Sequence, residues 1–436
     1  MQRFWEFTYS FALLPVLWMV LRTLGLFNAK VRRGIRGRTG LFETLASAVA
    51  GLPPGERFWF HSSSMGEFEQ AKPIIAELKR QMPEVRVIVT FFSPSGYEHS
   101  RSYQLADVIC YLPFDTHRSA RKFLDLVRPD AAVMVRYDIW PNHIWELRRR
   151  NIPTLIANAT MRRATKRRLP LVRSFHRYVY DAIDEILTVS ATDIEGFQAF
   201  GLRRAALQVI GDTRFDQVSI RSAEAKKRNI IPGAILQGKK VIIVGSSWPE
   251  DEAVVLPAVL DLQAGMQNLL TIIVPHEPTL DYLENLEGSL WGKTTSIRFS
   301  SLNEYAGEPI IIVDSVGILL TLYHYADIAY VGGSFRQGVH NVLEAAVYGI
   351  PVLFGPRHRN SQEPLQLVGH GGAFVVNDSA ELERTLGNLL EDDAARRAAG
   401  EHAAHFVQAH LGATTRFFEH LRPYLQNKQK QGTAGS

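Results

Sequence analysis

Glu67 closes the run His61-Ser62-Ser63-Ser64-Met65-Gly66-Glu67. Upstream, residues 57–60 are mostly aromatic and read as a short strand. Downstream, residues 67–80 place Ile74, Ile75 and Leu78 at helical spacing. Small polar residues and Gly66 therefore join the C-terminal end of a strand to a helix N-terminus, the edge at which open α/β sheets take their ligands. Helix amides favour an ionised acid in the first turn. Such a carboxylate at a cleft can take a proton from a substrate hydroxyl, which is general-base chemistry. Residue types alone leave the plainer alternative open, that Glu67 is only a well-placed first-turn acid.

A second stretch joins Gly332-Gly333-Ser334 to Gly338-Val339-His340-Asn341-Val342-Leu343-Glu344-Ala345-Ala346. Its glycines permit close backbone approach, and a helix expected from near Asn341 would offer amides to a phosphate, with Glu344 in reach of ribose hydroxyls. The alternative is an ordinary turn with Asn341 as N-cap. No Gly-Lys-Ser/Thr follows, so this is not a Walker loop. No Asp-x-Asp stands at a strand end to hold a metal, so phosphate charge must be met by amides and by Arg, Lys or His. Arg214, near the boundary between the two halves, is one candidate, against the reading of a solvated arginine. The densest basic cluster is Arg162, Arg163, Lys166, Arg167 and Arg168. It reads either as solvated charge or as a holder of acceptor or membrane phosphates. Without interleaved aromatics it lacks stacking platforms for nucleic acid. The single cysteine, Cys110, excludes an internal disulfide, and no Cys/His cluster has zinc spacing.

These residues need a scaffold, and 436 residues predict two domains. A hydrophobic share of 46% with 21% charged residues is that of a globular chain. A net charge of +5 invites an anionic partner. Short apolar runs at 85–91, 107–112, 131–135, 153–157, 186–189 and 207–210 alternate with helical patterns, implying a parallel sheet covered on both faces. Residues 219–239 break the rhythm and read as a linker. Runs at 240–245, 269–274, 309–313, 327–331 and 351–354 then repeat it, each ending in small or polar residues. Residues 379–425 read as mostly helical, and 426–436 as a disordered tail. At the other end, residues 7–21 carry no charge, and Arg22 closes them. That run is shorter than the roughly 20 residues of a straight span. The basic residues that follow, Lys30 to Arg38, put the bulk of the chain on the cytoplasmic side. Residues 1–28 are therefore expected to be a membrane anchor, a short span or an in-plane helix, rather than a buried helix of the first domain.

In this order and spacing the motifs resemble the family of 3-deoxy-D-manno-octulosonic acid (Kdo) transferases of Gram-negative bacteria. They are the hydrophobic N-terminus, Ser-x-Gly-Glu at 64–67, Trp-Pro-Asn at 140–142, Gly-x-x-Arg-Phe-Asp at 211–216, Gly-Gly-Ser at 332–334 and His-Asn-x-Leu-Glu-Ala-Ala at 340–346. The resemblance implies an α/β chain of GT-B fold, with two Rossmann-like doubly wound domains facing a cleft. Residues 29–218 would be the acceptor domain and 240–425 the CMP-sugar domain. It further implies inverting, metal-independent transfer of Kdo from CMP-Kdo to a lipid A precursor, lipid IVA. The reaction would run at the cytoplasmic face of the bacterial inner membrane among anionic lipids, with no cofactor, nucleic acid or obligate protein partner. By the same resemblance Glu67 is the base and Arg214 stabilises charge. CMP contacts fall on Pro275 and His276, on Val316, Gly317 and Ile318, and on Asn341, Val342, Leu343 and Glu344. Three departures stand out. Arg136 occupies the place of a second family glutamate, whose role does not carry over, and Asp138 is the nearest acid. His276 replaces an arginine. Val316 and Ile318 replace Met and Glu, leaving backbone contacts only. Two alternatives stay open: a GT-B transferase using a UDP-sugar on a lipid-linked acceptor, and a non-catalytic, membrane-tethered binder of anionic polymer.

Overall fold

The computed structural model describes residues 2–161, 165, 167, 169–359 and 361–433. Two compact units divide the chain, one formed by Met1–Gln217 with Leu411–Ser436 and the other by Val218–His410.

The first unit holds seven strands: β1 (Arg57–Ser62), β2 (Arg86–Phe91), β3 (Val108–Tyr111), β4 (Ala131–Val135), β5 (Thr154–Ala159), β6 (Glu185–Thr188) and β7 (Ala206–Val209). They are parallel, in the order β3-β2-β1-β4-β5-β6-β7. Successive side chains of a strand point to opposite faces, and the burial follows that rule. Phe58 and Phe60 join Val87, Val89 and Ile75 on one face, while Trp59 joins Ile88, Phe123 and Trp145 on the other. The sheet runs outward one way from β1 to β3 and the other way from β4 to β7. Its topological switch point thus lies between β1 and β4, where doubly wound sheets open a crevice for ligands. Phe58 pairs with Ala131 and His61 with Met134, so the chain leaves both strands side by side.

The second unit repeats the plan with β8 (Lys240–Ser247), β9 (Leu269–Pro275), β10 (Ser296–Arg298), β11 (Ile310–Ile312), β12 (Ile328–Val331), β13 (Val352–Phe354) and β14 (Ala373–Val375). Its order is β10-β11-β9-β8-β12-β13-β14, so the switch falls between β8 and β12. The edge strands β10 and β14 lie outside the expected series: β10 reads Ser-Ile-Arg with none of its residues buried, and only Ala373 of β14 is buried.

The boundaries also differ from the expected ones. A helix at Thr213–Ala225 runs through the start of the expected linker, with a short helix at Gly233–Leu236 beyond it. The second unit ends at His410 rather than 425, and the helix Ala413–Thr433 belongs to the first. Phe417, Phe418 and Leu421 pack on the face that carries Phe58 and Phe60. Asp216 caps the start of that helix, its carboxylate accepting from the Gly412 and Thr414 amides at 2.7 and 2.6 Å. Residues 426–433, expected to be disordered, continue the same helix, as elongation from a formed helix is easier than nucleation; 434–436 lie outside the described residues.

Arg3–Phe27 is a single apolar helix of 25 residues, long enough to cross a membrane, and 11% of its most apolar window is buried. Its first turns are docked on the first unit. Tyr9 Oη donates to Asp115 Oδ2 at 2.8 Å, Ser10 to Asn142 at 3.2 Å, and Arg149 to Glu6 at 3.0 Å. Phe11, Val16, Met19, Val20, Leu26 and Phe27 remain exposed. Asn28 ends it and caps the basic helix Ala29–Arg36, its Oδ1 accepting from the amides of Lys30 and Val31.

Candidate active site

At the switch point of the first sheet, β1 ends at Ser62 and the helix Met65–Gln81 begins. Ser64 caps that helix, taking the Glu67 amide, while Glu67 Oε2 accepts from the Ser63 and Ser64 amides at 2.6 and 3.3 Å. This capping box is what a Ser-x-x-Glu spacing builds. The first-turn role of Glu67 is therefore real, but it engages only one carboxylate oxygen among the described residues. The side chain is also buried. Burial pushes its carboxyl above the ordinary value, and the charge of Asp138 adds to that rise. The Ser63 amide, His61 and Arg136 pull it partly back. A carboxylate so raised is a better proton acceptor than a free one.

Asp138 arrives from β4, three residues beyond Val135. Its Oδ2 accepts from His61 Nε2 at 2.9 Å and from the Trp140 indole at 3.4 Å. Burial alone would raise the Asp138 carboxyl. The hydrogen bond and charge of His61, with Ser63 and Trp140, bring it below its usual value, so Asp138 is the charged neighbour of Glu67. On its other side His61 Nδ1 meets Thr90 Oγ1 at 2.9 Å, which takes the indole N–H of Trp59 at 2.8 Å. Residue types alone gave neither His61 nor Thr90 a role. The alternation of β1 was the available signal, since it puts His61 on the face of Trp59.

A pH profile follows from these signs. As a general base Glu67 would have to be unprotonated, and kcat/KM should then rise through its raised value, at a higher pH than an ordinary glutamate gives. Asp138→Asn removes a charge that favours the protonated form and should move this acidic limb to lower pH; an unmoved limb would contradict the coupling.

The 211–216 loop is held to the Glu67 helix by a buried chain of bonds. Thr213 Oγ1 donates to Gln70 O at 2.6 Å and accepts from Asn158 Nδ2 at 2.7 Å. Asn158 stands at φ 53°, a left-handed conformation that asparagine tolerates better than most residues. Arg214 is brought to this edge, but Nε and Nη2 lie on Asp212 Oδ2 at 2.9 and 2.7 Å, so it is a paired rather than a solvated arginine. Of the basic cluster, Arg167 reaches Tyr180 Oη at 3.2 Å; Arg162, Arg163, Lys166 and Arg168 lie outside the described residues.

In the second unit, the ends of β8, β9 and β12 bring together Trp248, His276 and His340. The two imidazoles stack at 4.4 Å, Trp248 lies 4.7 Å from His276, and Arg336 sits 4.0 Å over Trp248. The Trp248 indole donates to His340 Nε2 at 3.0 Å. Burial, with the neighbouring His276, lowers His340 to about 4. The Gly332 amide goes to Gly245 O at 2.8 Å and that of Gly333 to Asp251 Oδ2 at 2.7 Å, so neither is open to a phosphate. Gly333 is needed for another reason: at φ +91° a Cβ would come within 2.6 Å of Gly338 O. The expected helix near Asn341 is a single turn, Leu343–Ala346, with Asn341 Oδ1 accepting from the Leu343 amide at 3.3 Å. Val342 and Leu343 are buried in the core, and Glu344 lies 3.5 Å from Arg221. Pro275 is the buried last residue of β9. Val316 is exposed, beside Gly317 at φ +80° and Ile318 before the helix Leu319–Leu322. Asp251, which the sequence did not mark, organises this edge.

Two parallel doubly wound domains with strand-end loops of this kind are the GT-B architecture. The fold is shared with the UDP-GlcNAc 2-epimerase of Neisseria meningitidis (TM-score 0.53, 14% identity, 84% of this chain and all of that one). It is shared also with the MurG of Acinetobacter baumannii (TM-score 0.54, 12% identity, 85% of this chain and all of that one). Residues 33–217 match the family model of 3-deoxy-D-manno-octulosonic-acid transferase. The transferase of that name from Haemophilus influenzae is 28% identical over 97% of this chain and 99% of its own length. That from Aquifex aeolicus is 30% identical over 76% of this chain and 85% of its own. The chain belongs to the Kdo transferase family of glycosyltransferases.

Proposed function

We propose that the chain transfers Kdo from CMP-Kdo to the lipid A precursor lipid IVA in lipopolysaccharide synthesis, inverting the anomeric centre without a metal. The carrying observation is Glu67, a buried carboxylate of raised proton affinity beside the ionised Asp138, at the switch point of the first sheet. Glu67 takes the proton of a primary acceptor hydroxyl as its oxygen attacks the anomeric carbon. CMP leaves from the opposite face, and single displacement inverts the centre. Arg214, which Asp212 holds in place, meets the developing phosphate charge. Pro275, His276 and the backbone at 316–318 and 341–344 hold CMP.

The acceptor side has support in the first unit. A groove of about 450 Å³ is lined by Trp18, Leu21, Val31, Ile35, Phe92 and Phe114, with Arg22 and Lys30 beside them. Apolar walls next to cations suit the acyl chain of an anionic lipid. The Ser93 amide donates to Ser63 O at 2.9 Å, which ties this groove to the Glu67 loop. Because residues 6–10 are docked on the first unit, the helix lies in the cytoplasmic interface of the inner membrane rather than crossing it.

Thermal protection tests the donor. CMP should raise the melting temperature of the purified protein and UDP should not. Protection by UDP alone would favour a UDP-sugar transferase and overturn this reading. EDTA should leave the rate of Kdo transfer unchanged.

A further inference from the structure

Arg136 follows the last residue of β4 at φ 65°. A left-handed conformation is unfavourable for residues with a Cβ other than asparagine and aspartate, and such backbone persists where surrounding structure over-determines it, often at functional positions. Here the Arg136 amide donates to Ala157 O at 2.8 Å, so the sheet ladder holds the turn. The side chain is unusual in another way. Its Nε is buried with no hydrogen-bond partner, and the guanidinium lies 5.6 Å from the centre of the Tyr137 ring. Arg38 in the same unit is fully used, donating to the carbonyls of Gly34, Phe92 and Leu112. A buried donor left unpaired is costly, and an arginine fork matches a carboxylate or phosphate in two parallel bonds. The charge lies near enough to Glu67 to be felt by its carboxyl.

We infer that Arg136 receives a substrate oxyanion, a sugar carboxylate or a phosphate monoester, next to the hydroxyl that Glu67 deprotonates, and so determines substrate specificity. This rests on the transfer proposed above. Once the anion is bound, the positive charge facing Glu67 is neutralised, and Glu67 becomes the stronger base when substrate is in place.

Kinetics of Arg136→Gln and Arg136→Lys, with each substrate varied in turn, test the assignment. Charged hydrogen bonds of roughly 1.5–3 kcal/mol correspond to a rise in KM of about 10- to 150-fold for one substrate in the glutamine variant, partly restored by lysine. If the donor carboxylate is the ligand, KM for CMP-Kdo rises while the affinity for CMP alone is unchanged. If an acceptor phosphate is the ligand, KM for the phosphorylated acceptor rises, and a dephosphorylated acceptor no longer distinguishes variant from wild type. Both KM values within twofold of wild type, in an enzyme that transfers Kdo, would overturn this inference alone. Absence of transfer by the wild type would overturn the proposed function and this inference with it. Should the glutamine variant fold poorly, Arg136→Asn, which accepts the left-handed turn, replaces it.

Discussion

Glu67→Gln is expected to lower kcat by about 100- to 10,000-fold, the usual contribution of a general base, while the melting temperature barely moves. The two outcomes separate because glutamine keeps the structural half of the residue. Its carbonyl oxygen can still accept from the Ser63 and Ser64 amides, and glutamine serves a capping box as glutamate does. Only the proton acceptor is lost. Glu67→Ala removes both functions and should add a loss of about 1 kcal/mol in stability for the opened cap, seen as a lower urea midpoint. If Glu67→Gln kept near wild-type turnover, Glu67 would be a helix cap and nothing more.

Asp115→Ala should produce the largest loss of stability in the first unit, about 3–5 kcal/mol, as expected when one partner of a buried charged network is removed. Asp115 is fully buried and collects the Tyr9 hydroxyl at 2.8 Å, the Asn142 and His143 amides at 3.0 Å each and His143 Nδ1 at 2.6 Å. It joins the N-terminal helix to the Trp-Pro-Asn turn, so its loss should also expose residues 3–27 to protease. Tyr9→Phe removes one of the four bonds and should cost about 1 kcal/mol. Denaturant midpoints of the two variants check the ratio; equal effects would mean that Asp115 is not the common anchor.

Much of the scaffold was legible because its signals are local. Apolar runs such as 240–245 and the polar residues at their ends give both sheets and the edge where chemistry occurs. Ser64-x-x-Glu67 carries its own capping chemistry. The missing parts are pairings between distant residues. Nothing near His61 announces Asp138, 77 positions away, and nothing near Gly333 tells that Asp251 takes its amide. Phe417, Phe418 and Leu421 mark an apolar helix face without saying which sheet it covers. Arg136 was visible only as a departure from a family pattern; its left-handed backbone and unpartnered Nε belong to three dimensions.

The central claim is that this chain moves Kdo onto a phosphorylated, acylated glucosamine. Purified protein, CMP-Kdo generated in place and lipid IVA, followed by mass analysis of the lipid product, tests it most directly. The prediction is an acceptor carrying added Kdo, formed by the wild type and nearly absent with Glu67→Gln. Unmodified lipid IVA under conditions in which the Haemophilus influenzae relative transfers Kdo would contradict it.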